Sequence, residues 1–198
     1  MEQTNGKKHL KKLVLAAMLM AVGIVLPFFT GQIPQIGNML LPMHIPVLVC
    51  GLICGWQYGG IVGFFLPLLR YVLFAAPPMP NGIAMAFELA AYGAIVGFLY
   101  NRSRWQCIVS LYRSLIIAMI GGRIVWGVVR VAMLGVMGNA FSWKMFMAGA
   151  FLNAIPGIIL QLVFIPALML VLNRTGLVHF HKKGKEKVPV NGNCKIEN

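Results

Sequence analysis

Residues 82–100 read GIAMAFELAAYGAIVGFLY, and this stretch decides the fold class. Its 19 residues include a single charged side chain, Glu88. An α-helix rises about 1.5 Å per residue, so a helix of this length can cross the roughly 30 Å hydrocarbon core of a bilayer. We therefore predict a membrane-spanning helix over this stretch.

Five further apolar runs surround it, and each is also predicted to be a helix. They cover residues 13–29, 39–55, 58–76, 114–137 and 148–173, and prolines interrupt the second. The whole sequence is 59% hydrophobic and only 11% charged, whereas soluble domains carry about 25% charged residues. The runs are continuously apolar, which excludes a bacterial β-barrel because barrel strands alternate apolar and polar residues. The sequence predicts an all-α membrane protein of six transmembrane helices, with one domain over 1–198 and a helical core over about 10–173.

The net charge of +13 is concentrated beside the apolar runs. The clustered residues are Lys7, Lys8, Lys11 and Lys12, then Arg102, Arg104 and Arg113, then Arg174, Lys182, Lys183, Lys185, Lys187 and Lys195. Six crossings place all three clusters on one side, as the positive-inside rule requires. We therefore expect cytoplasmic N- and C-termini, a basic cytoplasmic tail over 174–198, and a multi-pass protein of a prokaryotic plasma membrane. This distribution indicates that the basic residues lie beside the lipid bilayer, and it argues against nucleic-acid binding.

Four ionisable residues fall inside the predicted spans: Arg70, Glu88, Arg123 and Arg130. A charge at the bilayer centre costs about 2.5–3.5 kcal/mol on insertion scales, so each needs compensation. Counting residues from the predicted helix ends places Arg70, Glu88 and Arg130 roughly 10 Å below the outer surface. Arg123 is predicted two turns deeper, on the same face of its helix as Arg130, with Trp126 between them.

These charges predict a small-ligand site near the outer face. We expect the following residues to line it: Arg70, Glu88, Arg130, Arg123, Trp126, Tyr92, Asn153, His44 and Asn81. One carboxylate cannot neutralise three guanidinium groups, and arginine binds carboxylates through two parallel hydrogen bonds. The surplus favours a ligand with a carboxylate. In the alternative interpretation, Arg70 and Arg130 reach the outer interface and Glu88 pairs with one arginine for structural reasons.

The sequence lacks the common motifs for ATP binding, metal-dependent hydrolysis and serine hydrolysis. It contains no G-x-x-x-x-G-K-[ST] for ATP phosphates, no H-E-x-x-H, and no G-x-S-x-G. The Cys and His spacing suggests no metal site. A single buried carboxylate leaves few candidates for acid–base catalysis. We therefore predict neither an enzyme nor a resident cofactor or metal, and the chain cannot by itself be an ATP-driven transporter.

Four stretches of the sequence form a recognisable combination: the Ala17-x-x-x-Ala21 pair, the LPMHIP stretch over 41–46, the glycine-rich segment over 51–59 and the PPMP loop over 77–80. In this combination the chain resembles the substrate-binding (S) components of energy-coupling factor (ECF) vitamin importers. The resemblance covers about residues 10–173. It implies binding of a vitamin near the outer face, and docking on a transmembrane coupling subunit that carries two ATPases. In the family, the paired alanines belong to the docking surface, so Ala17 and Ala21 are expected to contact the partner.

The ligand and two competing functions stay open at the level of sequence. The arginine surplus favours an acid such as pantothenate, nicotinate, biotin or a folate over thiamine, and the stretch over 42–46 resembles the pantothenate branch. A small secondary transporter or anion channel acting as a homo-oligomer, with Arg123 and Arg130 lining the path, is the main alternative. A membrane enzyme is the third possibility and predicts turnover.

Overall fold

The computed structural model describes residues 2–30, 42–75, 77, 81–103, 108–136 and 155–174. These residues form six helices. Their bounds are α1 Glu2–Thr30, α2 His44–Cys54, α3 Trp56–Phe74, α4 Asn81–Arg102, α5 Ile108–Val136 and α6 Ile155–Arg174. Four of them, α1, α3, α4 and α5, contain stretches long and apolar enough to cross a membrane, and α2 and α6 provide shorter apolar stretches. The predicted all-helical class is confirmed.

The second helix is shorter than its predicted bounds. It begins at His44 rather than at residue 39, and Pro46 lies in its first turn, where the missing backbone N–H removes no helical hydrogen bond. At 11 residues α2 is about 16 Å long, which is shorter than the hydrocarbon core. The count of six crossings therefore stays a prediction. Residues 39–41 and 148–154, also predicted to be helical, lie outside the described residues.

A single glycine joins α2 to α3. Gly55 has φ 106° and ψ 170°, a backbone conformation that residues with a Cβ rarely adopt. Its N–H donates to the carbonyl of Gly51 at 3.2 Å, and its own carbonyl accepts from the N–H of Gly59 at 3.0 Å. The tight link lets two apolar helices follow one another with one residue between them, so α2 and α3 pack side by side.

Glycines bring α2, α3 and α4 into backbone contact. A Cβ added to Gly59 would lie 2.6 Å from Cα of Gly51, and one added to Gly97 would lie 2.6 Å from the Gly51 carbonyl oxygen. Real Cβ atoms do not approach so closely. In lipid, small residues allow such close packing of helices. In the sequence, Gly59 and Gly63, and likewise Gly93 and Gly97, are four residues apart, a spacing that predicts internal helix packing. The structure confirms this prediction, since a Cβ on Gly63 or Gly93 would also meet backbone atoms.

Contacts between side chains give the relative directions of the helices. Phe28 stacks edge-on against Phe74 at 4.7 Å, so α1 and α3 end at the same end of the bundle, and α4 begins there with Asn81. We call this the Asn81 end. At the opposite end, the thiol of Cys54 lies 3.6 Å from the carbonyl of Lys12. Half of the spanning window of α4 is buried, against 17% for α1, so α4 is central and α1 is peripheral.

We predict that Gly93→Ala destabilises the protein, whereas Gly135→Ala does not. The new Cβ at position 93 would meet the backbone carbonyl of Gly59, which cannot rotate away, and overpacking of this kind typically costs about 1–3 kcal/mol. Gly135 also lies in a helix, but no atom of the described residues lies within 4 Å of the Cβ that would be added there. Thermal unfolding of the detergent-purified variants checks this. Equal midpoints would contradict the close α3–α4 contact.

Candidate functional site

The polar residues of α4 and α5 form two levels along one helix interface. Asn81 and Glu88 are seven residues apart on α4, and Arg123 and Arg130 are seven apart on α5, so each pair lies on one helix face. Nη1 of Arg130 donates to Oδ1 of Asn81 at 2.7 Å, and Nη1 of Arg123 lies 3.2 Å from Oε1 of Glu88. The two helices are thus antiparallel. Seven residues correspond to about 10 Å, which separates an outer pair at the Asn81 end from a deeper pair.

The deeper pair is removed from solvent and balanced in charge. The side chains of Glu88 and Arg123 are 3% and 11% exposed. A buried carboxylate needs a partner, and the guanidinium of Arg123 supplies the opposite charge. The contact is an ion pair by distance, yet Oε1 of Glu88 has no aligned hydrogen-bond donor among the described residues. The pair cancels its own charge but leaves hydrogen-bonding capacity unused.

His44 and Tyr92 complete the deeper group. Nε2 of His44 lies 3.8 Å from Oε1 of Glu88, and the imidazole packs edge-on against the ring of Tyr92 at 5.1 Å. Tyr92 lies one turn after Glu88 on α4, so the two side chains share a helix face. Gly122 makes room for it, because a Cβ there would lie 2.8 Å from the tyrosine ring. Helices α2, α4 and α5 therefore each contribute a polar side chain to one buried group.

Several buried polar atoms of this group have no hydrogen-bond partner in the described part of the chain. They are both ring nitrogens of His44, Oε1 of Glu88, and Nε and Nη2 of Arg123. Buried polar groups in native proteins are almost always hydrogen-bonded to protein, water or ligand. Donors and acceptors are both present here, so the group can bind a molecule that presents both.

The outer pair carries an uncompensated positive charge. Besides its bond to Asn81, Arg130 lies over the ring of Trp126 at 5.6 Å from its centroid. Both partners are neutral, and no acid pairs with Arg130 among the described residues. Between residues 3 and 185 the sequence contains one acid, Glu88, and Arg123 already pairs with it. The two levels together have a formal charge of +1 with His44 neutral.

Arg70 reaches the Asn81 end in a different interface. Its guanidinium lies 5.8 Å from the ring centroid of Phe28, so it occupies the boundary between α1 and α3. Its Nε is buried without a hydrogen-bond partner among the described residues. Phe64 stacks on Phe87 at 5.5 Å, and the antiparallel register from this contact places Arg70 near the level of the first turn of α4. The structure does not bring Arg70 into contact with Glu88 or Arg130.

The remaining predicted site residues have varied positions. Asn153 lies outside the described residues. Ala17 and Ala21 are exposed on α1. Among the described residues there is no group of three His, Cys, Asp or Glu side chains that could hold a metal ion.

Sequence reasoning missed Gln161 of α6. Its side chain is 1% exposed, and its Nε2 has no hydrogen-bond partner within the described ranges. It is the one polar residue between 155 and 172, and an isolated amide in an apolar helix is a signal that could have found it. Leu48 of α2 and Ile165 of α6 belong to one buried hydrophobic cluster. Gln161 lies one turn before Ile165, and His44 lies one turn before Leu48.

Comparison with known proteins identifies the family. A search of curated proteins found no significant match. The family described as "ECF transporter, substrate-specific component" matches residues 11–169, which is most of the chain and includes every described residue of the two polar levels. The chain therefore belongs to the family of substrate-specific components of ECF transporters, and it is a substrate-binding subunit.

Proposed function

We propose that this subunit binds a small vitamin through a carboxylate, with pantothenate as the leading candidate. The carrying observation is the charge at the α4–α5 interface, where two arginines face one acid. Arg123 pairs with Glu88 at 3.2 Å, and the partners of Arg130 among the described residues are both neutral. An anionic group on the ligand would compensate the charge that the protein leaves over.

The surroundings of Arg130 suit recognition of a carboxylate. A guanidinium has five N–H donors, and the bond to Asn81 uses one of them. Asn81 and the Trp126 ring hold the guanidinium from two sides, which reduces the entropy lost when a ligand binds. A carboxylate can then accept two parallel hydrogen bonds. Arg70 stays a predicted ligand contact, and the acids nicotinate, biotin and folate remain in the candidate class, whereas thiamine is disfavoured.

We further propose six crossings with both termini in the cytoplasm of a prokaryotic cell. The contact of Cys54 with Lys12 puts the start of α1 at the end opposite Asn81, and Arg102 closes α4 at that same end. Basic residues therefore collect at the end away from the two polar levels. By the positive-inside rule this end faces the cytoplasm, so the Asn81 end faces outward.

For transport, the subunit is proposed to deliver its ligand inward with a transmembrane coupling subunit and two ATPase subunits. Family membership supports this division of labour. The exposed face of α1 that carries Ala17 and Ala21 is the proposed contact with the coupling subunit. Small side chains allow another helix to approach closely in lipid. We propose no catalytic activity and no cofactor for the chain itself.

We predict that Arg130→Ala weakens pantothenate binding by about 10- to 100-fold. Hydrogen bonds to charged groups contribute about 1.5–3 kcal/mol, and 1.4 kcal/mol corresponds to tenfold in affinity. Arg102→Ala is the matched control, because Arg102 also lies over an aromatic ring, that of Phe98 at 5.7 Å, but at the opposite end of α4. Isothermal titration of the detergent-purified chain measures both. Equal affinities would remove Arg130 from the site.

We predict that Ala17→Trp abolishes uptake in cells that express the complete importer but leaves ligand binding intact. A tryptophan would block close approach of the coupling subunit without entering the core of this chain, since Ala17 is exposed. Ala167→Trp on the exposed face of α6 is the control and should preserve both properties. Loss of binding by Ala17→Trp would show that this alanine packs internally.

In liposomes, we expect the isolated chain to bind ligand without net flux. Uptake should appear only when the coupling module and ATP are added, because the sequence contains no P-loop. Radiolabelled ligand accumulation measures this. Entry of radiolabelled ligand into liposomes that contain the isolated chain alone, without ATP, would instead favour a secondary transporter or channel, with Arg123 and Arg130 along the path.

A further inference from the structure

The α4–α5 interface changes character along its length. Asn81 and Arg130 form a polar level at the Asn81 end, and Glu88 and Arg123 form the second. Between them, the buried Ala84 of α4 and Trp126 of α5 each lie about one turn from both levels. The order along the interface is polar, apolar and polar over about 10 Å.

The two polar levels require different chemistry from a ligand. The outer level has a net positive charge, because Arg130 pairs with no acid among the described residues. The deeper level is neutral, because Arg123 and Glu88 compensate each other. A second charge on the ligand would therefore be uncompensated at the deeper level, where side chains are at most 11% exposed.

The polar atoms of the deeper level that lack hydrogen bonds determine which donors and acceptors a ligand would need. Oε1 of Glu88 is an acceptor that lacks a hydrogen bond, and Nε and Nη2 of Arg123 are donors that lack one. His44 is 1% exposed and has both ring nitrogens unpartnered in the described structure. A hydroxyl group satisfies such a mixture because it donates one hydrogen bond and accepts others. An amide offers the same combination through its N–H and C=O.

We infer that Glu88, Arg123 and His44 form a deeper subsite that binds a neutral hydroxyl or amide group of the substrate. This inference rests on the proposed function and deepens it. The substrate is then an elongated carboxylate that places its anionic group on Arg130, an apolar segment beside Trp126, and a neutral polar group on the Glu88–Arg123 pair. A compact acid such as nicotinate, which has no hydroxyl or amide far from its carboxylate, cannot occupy both levels.

The test compares ligands on the unmodified protein, which avoids any variant that fails to fold. Pantothenate, an analogue without its two hydroxyl groups, panthenol without the carboxylate, biotin and nicotinate are titrated into the detergent-purified chain. We expect the dehydroxylated analogue to bind at least about tenfold more weakly than pantothenate, because it leaves buried polar atoms without a partner. Panthenol should also bind more weakly, because its alcohol does not compensate Arg130.

A second comparison assigns the hydroxyl effect to named residues. The double variant Glu88→Gln/Arg123→Gln removes both charges together, so no unpaired charge stays buried. We expect it to discriminate pantothenate from the dehydroxylated analogue much less than the unmodified protein does. Arg130→Ala should keep that discrimination while losing affinity for both. This pattern is a double-mutant cycle between protein and ligand.

The outcomes separate the two proposals. Equal binding of pantothenate and its dehydroxylated analogue, or full discrimination retained by the double variant, overturns the deeper subsite and leaves the carboxylate at Arg130 intact. Binding of nicotinate in preference to both pantothenate and biotin has the same consequence. Failure of every acid to bind, or equal affinity for pantothenate and panthenol, overturns the proposed function and with it this inference.

Discussion

The Glu88–Arg123 ion pair is the interaction on which the arrangement of α4 and α5 depends. A carboxylate in an apolar helix bundle is expensive without a partner, and removing one member of a buried pair typically costs about 3–5 kcal/mol. The 3.2 Å contact therefore strongly favours one sliding position of α5 along α4. Once this register is set, the seven-residue spacing on both helices brings Arg130 to Asn81 at the outer level. The same register places Gly122 against the Tyr92 ring, so electrostatics and packing select the same alignment.

The central helix α4 makes polar contacts on one face and close backbone contacts on another. Glu88 and Tyr92 point toward α5, whereas Gly93 and Gly97 lie more than a quarter turn away and meet the backbones of α3 and α2. In lipid there is no hydrophobic drive between helices, so close backbone packing and polar contacts supply the association. The glycine face brings α2 near enough for His44 to reach Glu88 at 3.8 Å. The polar group therefore depends on glycines that have no chemistry of their own.

The sequence predicts the features that depend on spacing along a single helix. It does not predict the relative level and rotation of helices, because these depend on contacts with neighbouring helices. Continuous apolar runs predict the all-helical class, and the glycine spacing predicts internal packing at positions 59, 63, 93 and 97. Counting from helix ends placed Glu88 level with Arg130, but the contacts place Glu88 level with Arg123 and Arg130 level with Asn81. The reason is that helix ends do not share a plane: with Arg130 beside Asn81, α5 continues six residues further to Val136. The rotation of α3 that turns Arg70 toward Phe28 depends on its neighbours and has no signature in residue spacing.

In the proposed function, the separation of charge between the two levels also sets the direction in which the ligand would lie. An ion loses less hydration where water still reaches, and Asn81 of the outer level is exposed whereas Glu88 is almost fully buried. The interaction between two charges becomes stronger as the local dielectric constant falls. An anionic group of the ligand would therefore be repelled by the Glu88 carboxylate most strongly at the buried, deeper level. The proposed carboxylate is therefore best placed on Arg130, with the uncharged part of the molecule pointing toward the deeper level. This orientation follows from one acid and two arginines on a shared interface, and it requires both helices because the acid is on α4 and both arginines are on α5.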